Sequence, residues 1–88
     1  MVRAIRIHCT GGPEVLCLDD VDVPPPAAGE VRIRQRAAGL NFIDIYQRSG
    51  LYKLSSLPEV LGMEGAGDVI AVGEHVTDFR VGDRVAYG

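Results

Sequence analysis

The sequence predicts a mainly β chain of the α+β kind, with short strands and one short helix near residues 42–49. Three observations predict it. VRAIRIH and EVRIRQRAAG alternate apolar and polar residues with the two-residue period of a half-buried strand. DVIAVG is the nearly continuous apolar run of a buried strand. NFIDIYQRSG carries the start and stop signals of a helix.

Residues 2–8 read as a strand with Ile5 and Ile7 on one face and Arg6 and His8 on the other. Thr10 to Pro13 is turn chemistry, and EVLCLDDV, residues 14–21, reads as a second strand. PPPAAG at 24–29 cannot join a central ladder, because proline has no N–H to donate, and is placed as an extended surface connection. In residues 30–39, Val31, Ile33 and Gln35 alternate with Arg32, Arg34 and Arg36. Three arginines on one face could form a phosphate patch. The plainer reading is a solvated face whose long stems cover apolar neighbours. Asn41 is placed as N-cap of the helix, with Asp44 three residues on in a shortened capping box, and Gly50 closes it in a left-handed conformation. Phe42, Ile45 and Tyr46 fall on one side of the 3.6-residue period. Residues 51–61 read as a loop, 68–73 as the buried strand, and 81–88 as a Gly-Asp turn running into a last strand.

At 88 residues the chain has room for one small domain with a thin stability margin. A net charge of −3 supplies no basic footprint for nucleic acid and no basic face for an anionic membrane. No apolar run has the length of a membrane helix, and MVRAIRIHCTGG lacks the apolar stretch of a signal peptide, so the expected location is cytoplasmic. Cys9 and Cys17 flank the predicted turn and could lie near each other across two strands. Reduced thiols are the expected state in the cytosol. Neither a CxxC pair nor a His/Cys cluster with zinc spacing occurs. His8 and His75 read as surface residues without a partner visible in sequence.

LGMEGAG, residues 61–67, raises the possibility of a nucleotide loop. A dinucleotide fingerprint has the order GxGxxG between a strand and a helix, whose N-terminus receives the pyrophosphate. Here the order is GxxGxG, a strand pattern comes next, and no Walker lysine motif exists. The glycines are expected to let a strand bend or pass close to other backbone.

AAGLNFIDIYQRSGLY, LPEVLGMEGAGDVIAVG and VTDFRVGDRVAYG, together with GGPEVL near the start, resemble the N-terminal part of medium-chain dehydrogenases and reductases. The likeness is to the quinone oxidoreductase branch, the zeta-crystallin-like NADPH:quinone reductases, and it runs over nearly the whole chain. It implies a GroES-like, partly open β-barrel, incomplete within these residues, beside a separate Rossmann domain for NADPH that these residues do not contain. Zinc-dependent members of the family carry a cysteine and a histidine where this chain has Asn41 and Met63. An amide and a thioether are poor ligands for divalent zinc, so the resemblance implies metal-free chemistry. Glu64 keeps its place without a metal to serve, and reads as a charge paired within the fold.

The implied reaction is hydride transfer from NADPH to a quinone. The resemblance implies catalytic roles for Tyr46 and Tyr52, and a cofactor-facing place for Asn41, Tyr46 and Met63. It also implies a homodimeric full-length enzyme, and inactivity of residues 1–88 alone. Each residue has a plainer reading: Asn41 as a helix cap, Tyr46 as a core ring, Met63 as packing. Tyr52, on a loop, has the better claim to face a ligand. Two alternatives stand beside the quinone reductase reading. One is a non-catalytic GroES-like binding or assembly module; the other is part of a related zinc-free enoyl or alcohol reductase.

Overall fold

The computed structural model describes residues 2–88. Strands dominate: β1 (Val2–Ile7), β2 (Cys17–Val21), β3 (Val31–Gly39), β4 (Glu59–Val60), β5 (Glu64–Val72) and β6 (Arg84–Tyr87), with one helix, α1 (Phe42–Ser49), after β3. Among the described residues they form two three-stranded sheets and no closed barrel. The chain divides into two compact units. The first runs to Val23 and resumes over Leu40–Met63; the second is Pro24–Gly39 with Glu64–Gly88.

In the first unit β1 is the central strand, antiparallel to β2 on one side and β4 on the other. Ile7 at its end is wholly buried. β2 starts later than the sequence pattern suggests. Pro13–Val15 is a 3₁₀ turn instead, in which the Val15 and Leu16 N–H groups donate to the Gly12 and Pro13 carbonyls at 3.1 and 3.2 Å. Proline at the first position has its φ set for such a turn and no N–H to leave unpaired. β4 lies inside the stretch that reads as loop. Its two residues face Arg6 and Ile7, and so short a bridge leaves no periodic trace in a sequence.

Across the β1–β2 ladder, Asp19 Oδ2 accepts from Arg6 Nε at 2.6 Å and lies 2.7 Å from His8 Nε2. His8 is exposed, as the sequence reading has it, and its partner is one that only strand pairing could reveal. The Arg6 hydrogen bond first, then that of His8, holds the Asp19 carboxyl below its ordinary value. Cys9 is exposed beyond the end of β1 and Cys17 is half-buried opposite Arg6; both are free thiols.

In the second unit β5 lies between β3 and β6. Val69 is 1% exposed and marks the packed face. On the other face Arg34, Asp68 and Arg84 stand in one cross-strand row. Arg36 occupies an irregularity in the β3 register and gives its Nε to Asp68 Oδ2 at 2.9 Å. Arg34 and Arg36 are exposed and Arg32 half-buried, the pattern of a solvated arginine face. The glycines of LGMEGAG enter β5, not a helix. A Cβ on Gly67 would collide with the Arg34 carbonyl, so this strand position accepts only glycine because other backbone passes close. Glu64 departs from the pairing expected of it. Among the described residues it makes no ion pair; it is exposed, and its side chain lies against Gly39, where a Cβ would meet it.

Candidate functional site

α1 and its two flanks hold three of the four predicted site residues, Asn41, Tyr46 and Tyr52. The start of the helix is fixed by the Asn41–Asp44 capping box, in which Asp44 Oδ2 accepts the Asn41 backbone N–H at 3.0 Å. Its end is fixed by Gly50, left-handed at φ 92°. The C-terminal turn is also tied to the loop after β1. The Gly11 N–H donates to the Arg48 carbonyl at 2.9 Å, and Arg48 Nε donates back to the Gly11 carbonyl at 3.2 Å.

The helix turns in a side that its apolar periodicity does not single out. Asp44 is buried, and Ile43, Gln47 and Arg48 are half-buried around it, while Phe42, Ile45 and Ser49 are exposed. The apolar side expected to pack is thus largely open: Phe42 is 74% exposed and Ile45 37%. Tyr46 sits at the edge of that open side, half-buried.

Tyr46 and Tyr52 come together. The Gly50 and Tyr52 N–H groups both donate to the Tyr46 carbonyl at 3.1 Å, which folds the chain back after the helix. The two rings meet edge to face, with centroids 5.2 Å apart and planes at 67°. Phe42 adds a third ring, 6.5 Å from Tyr46 and tilted by 21°. Asn41 is exposed at the head of the same helix. Met63, 47% exposed, comes after the left-handed Gly62 and is not a member of the ring cluster.

Two residues of this region have roles that the sequence does not announce. Periodicity assigns Phe42 to the packing face, and spacing assigns Asp44 only to a cap. The signal for Asp44 is present in part: a carboxylate on the side opposite Phe42 and Ile45 must lie inward if those side chains lie outward. Its Oδ1 is buried and has no hydrogen-bond partner among the described residues.

In chemical terms α1 and its flanks offer an amide, two phenols and an open aromatic surface. Phenol and amide groups donate hydrogen bonds to an oxygen gaining negative charge, and the rings accept a flat ligand. Among the described residues no group of three His, Cys, Asp or Glu side chains gathers in metal-binding distance. No helix is long and apolar enough to cross a membrane.

Known proteins resemble this chain in sequence and in fold. The alcohol dehydrogenase GroES-like domain family matches residues 27–88. A quinone oxidoreductase of Pseudomonas aeruginosa is 58% identical over 87 residues, covering 99% of this chain. A 2-haloacrylate reductase of a Burkholderia species is 44% identical over 88 residues, covering 97% of this chain and 26% of its own length. The crystal structure of Escherichia coli quinone oxidoreductase complexed with NADPH superposes with a TM-score of 0.95 at 46% identity, covering 98% of this chain and 26% of that one. The chain spans only 27% of the length of the Pseudomonas relative. With strands, helix and match in agreement over most of its length, the chain belongs to the alcohol dehydrogenase GroES-like domain family.

Proposed function

We propose that the chain is the first part of the GroES-like catalytic domain of an NADPH-dependent quinone oxidoreductase, which transfers a hydride to a quinone without metal. The observation that carries this reading is the Tyr46–Tyr52 pair, two phenols held edge to face beside an open aromatic surface and one helix away from Asn41. The 58% identity to a quinone oxidoreductase supports it.

The residues fit the nicotinamide end of NADPH. Asn41 offers amide donor and acceptor groups in the open, and Tyr46 and Met63 offer ring and thioether surface. The phosphate end finds no counterpart, because the glycines of 65–67 are committed to the β5 ladder and point no helix N-terminus at a ligand. The nucleotide-binding Rossmann fold is therefore assigned to the length of the relatives that this chain does not span. NADPH, when bound, supplies the hydride.

The chain's own residues bind and orient the acceptor. The Tyr46 and Tyr52 hydroxyls donate to the quinone oxygen as negative charge builds on it, and their rings limit how the flat substrate can lie. Asn41 holds the cofactor side, and Met63 fills apolar space beside it. The amide and thioether at the two positions where zinc-dependent members of the family carry a cysteine and a histidine are poor ligands for that ion. By the same likeness, a quinone-type small molecule is the partner and the full-length protein a cytosolic homodimer.

The test uses the full-length protein, following NADPH absorbance with a benzoquinone. Tyr52→Phe and Tyr46→Phe should each lower kcat/KM by roughly tenfold or more, the scale of losing one donor to a developing oxyanion. Turnover unchanged in both variants would overturn the assignment.

A further inference from the structure

Asp44 is the most buried polar side chain among the described residues, at 5% exposure, and its capping role leaves half of it unused. Oδ2 holds the Asn41 backbone N–H at 3.0 Å. Oδ1 is buried without a hydrogen-bond partner among the described residues. A cation is available at the right spacing: Arg48 is one turn on, on the same inward side, where an Asp–Arg pair would ordinarily close. Its Nε is instead given to the Gly11 carbonyl at 3.2 Å. Among the described residues Asp44 makes no ion pair. A cap does not require this burial, since the longer Glu or Gln common at the third helical position can reach back from the surface. Burying a carboxylate without a counter-charge among the described residues costs stability, which makes Asp44 a candidate for a role beyond the cap.

Charge balance in the proposed reaction supplies such a role. Loss of a hydride leaves the nicotinamide ring with charge +1, and the quinone oxygen takes up the matching negative charge. Asp44 is hydrogen-bonded to Asn41, the residue assigned to the nicotinamide side. We propose that Asp44 is a positioning residue that, besides fixing Asn41, sets the local charge: its carboxylate favours the cationic, oxidised nicotinamide over the neutral, reduced one. The inference rests on the proposed NADPH-dependent function.

The experiment measures binding, not turnover. Dissociation constants for NADP+ and for NADPH are taken by calorimetry on the full-length protein and on Asp44→Asn, which keeps the size of the side chain and an acceptor for the Asn41 N–H. The expected result is a selective loss: NADP+ binds roughly tenfold more weakly in Asp44→Asn, the scale of one charge acting through a partly buried site, while NADPH changes little. Equal weakening of both forms, or no change in their ratio, would overturn the inference while leaving the cofactor assignment standing. Binding of neither form to the unaltered protein would overturn both. If Asp44→Asn does not fold, Asp44→Ser removes the charge, keeps an oxygen near Asn41, and is read by the same ratio.

Discussion

The Tyr52 N–H donates to the carbonyl of Tyr46 at 3.1 Å, so the turn that ends α1 also sets one phenol against the other. That turn depends on Gly50, whose φ of 92° is strained for any residue with a Cβ. Gly50→Ala should cost about 1–2 kcal/mol from this strain. It should also lower quinone reduction, because Tyr52 would lose its place. Thermal unfolding of the full-length variant, read beside its kcat/KM, checks both.

Gly67 carries a different constraint. The obstacle to a side chain there is the Arg34 backbone carbonyl, which cannot swing aside as a flexible side chain could. Gly67→Ala should destabilise by about 1–3 kcal/mol through separation of β3 from β5. Gly29→Ala is the control: it shares a positive φ with Gly50 but has nothing within 4 Å of its Cβ position, so it feels strain without collision. Denaturant midpoints of the two variants should rank Gly67→Ala as the less stable.

The Asp19 cluster gives a pH dependence with a definite sign. Its carboxyl is held below its ordinary 3.8 by Arg6 and then His8, so the folded state binds that proton less tightly than the unfolded one. The resulting stabilisation is present above about pH 4 and fades as the pH falls through the lowered folded value. Asp19→Asn should therefore be less stable than the unaltered protein at neutral pH, and the gap should close toward the acid end. A gap independent of pH would show that the pair contributes through shape alone.

The proposed metal-free reading rests on Asn41 and Met63, an amide and a thioether that are poor zinc ligands. Elemental analysis of the purified full-length protein should find no stoichiometric zinc bound at these positions. One zinc per chain that disappears in Asn41→Ala would contradict the metal-free mechanism.

Residues 1–88 alone should not reduce quinones with NADPH. Among the described residues no glycine turn leads into a helix N-terminus that would anchor the pyrophosphate. Hydride transfer needs the reacting atoms held within about 3–3.5 Å. The isolated chain, followed by NADPH absorbance against the uncatalysed rate, should show no saturable turnover. Its stability should also be slight, since Ile7 and Val69 are its only fully buried large side chains among the described residues.

The ends of α1 were legible in the sequence because caps act over three or four residues: Asn41 with Asp44 at one end and Gly50 at the other are local chemistry. β1, β3 and the apolar part of β5 were legible for the same reason, since alternation is written into neighbouring residues. The strand course of the glycines in LGMEGAG was also local, because they run straight into the strand pattern of DVIAVG. Tertiary structure decided which side of α1 is covered. The sequence places Phe42, Ile45 and Tyr46 together, and periodicity favours burying them. Yet Asp44 goes inward and Phe42 stays out, with the helix tied at its end to Gly11, 37 residues before Arg48. The His8–Asp19 contact and the Gly67–Arg34 approach are likewise pairings across strands. Register and burial are set by segments distant in the chain, and no local window of residues contains them.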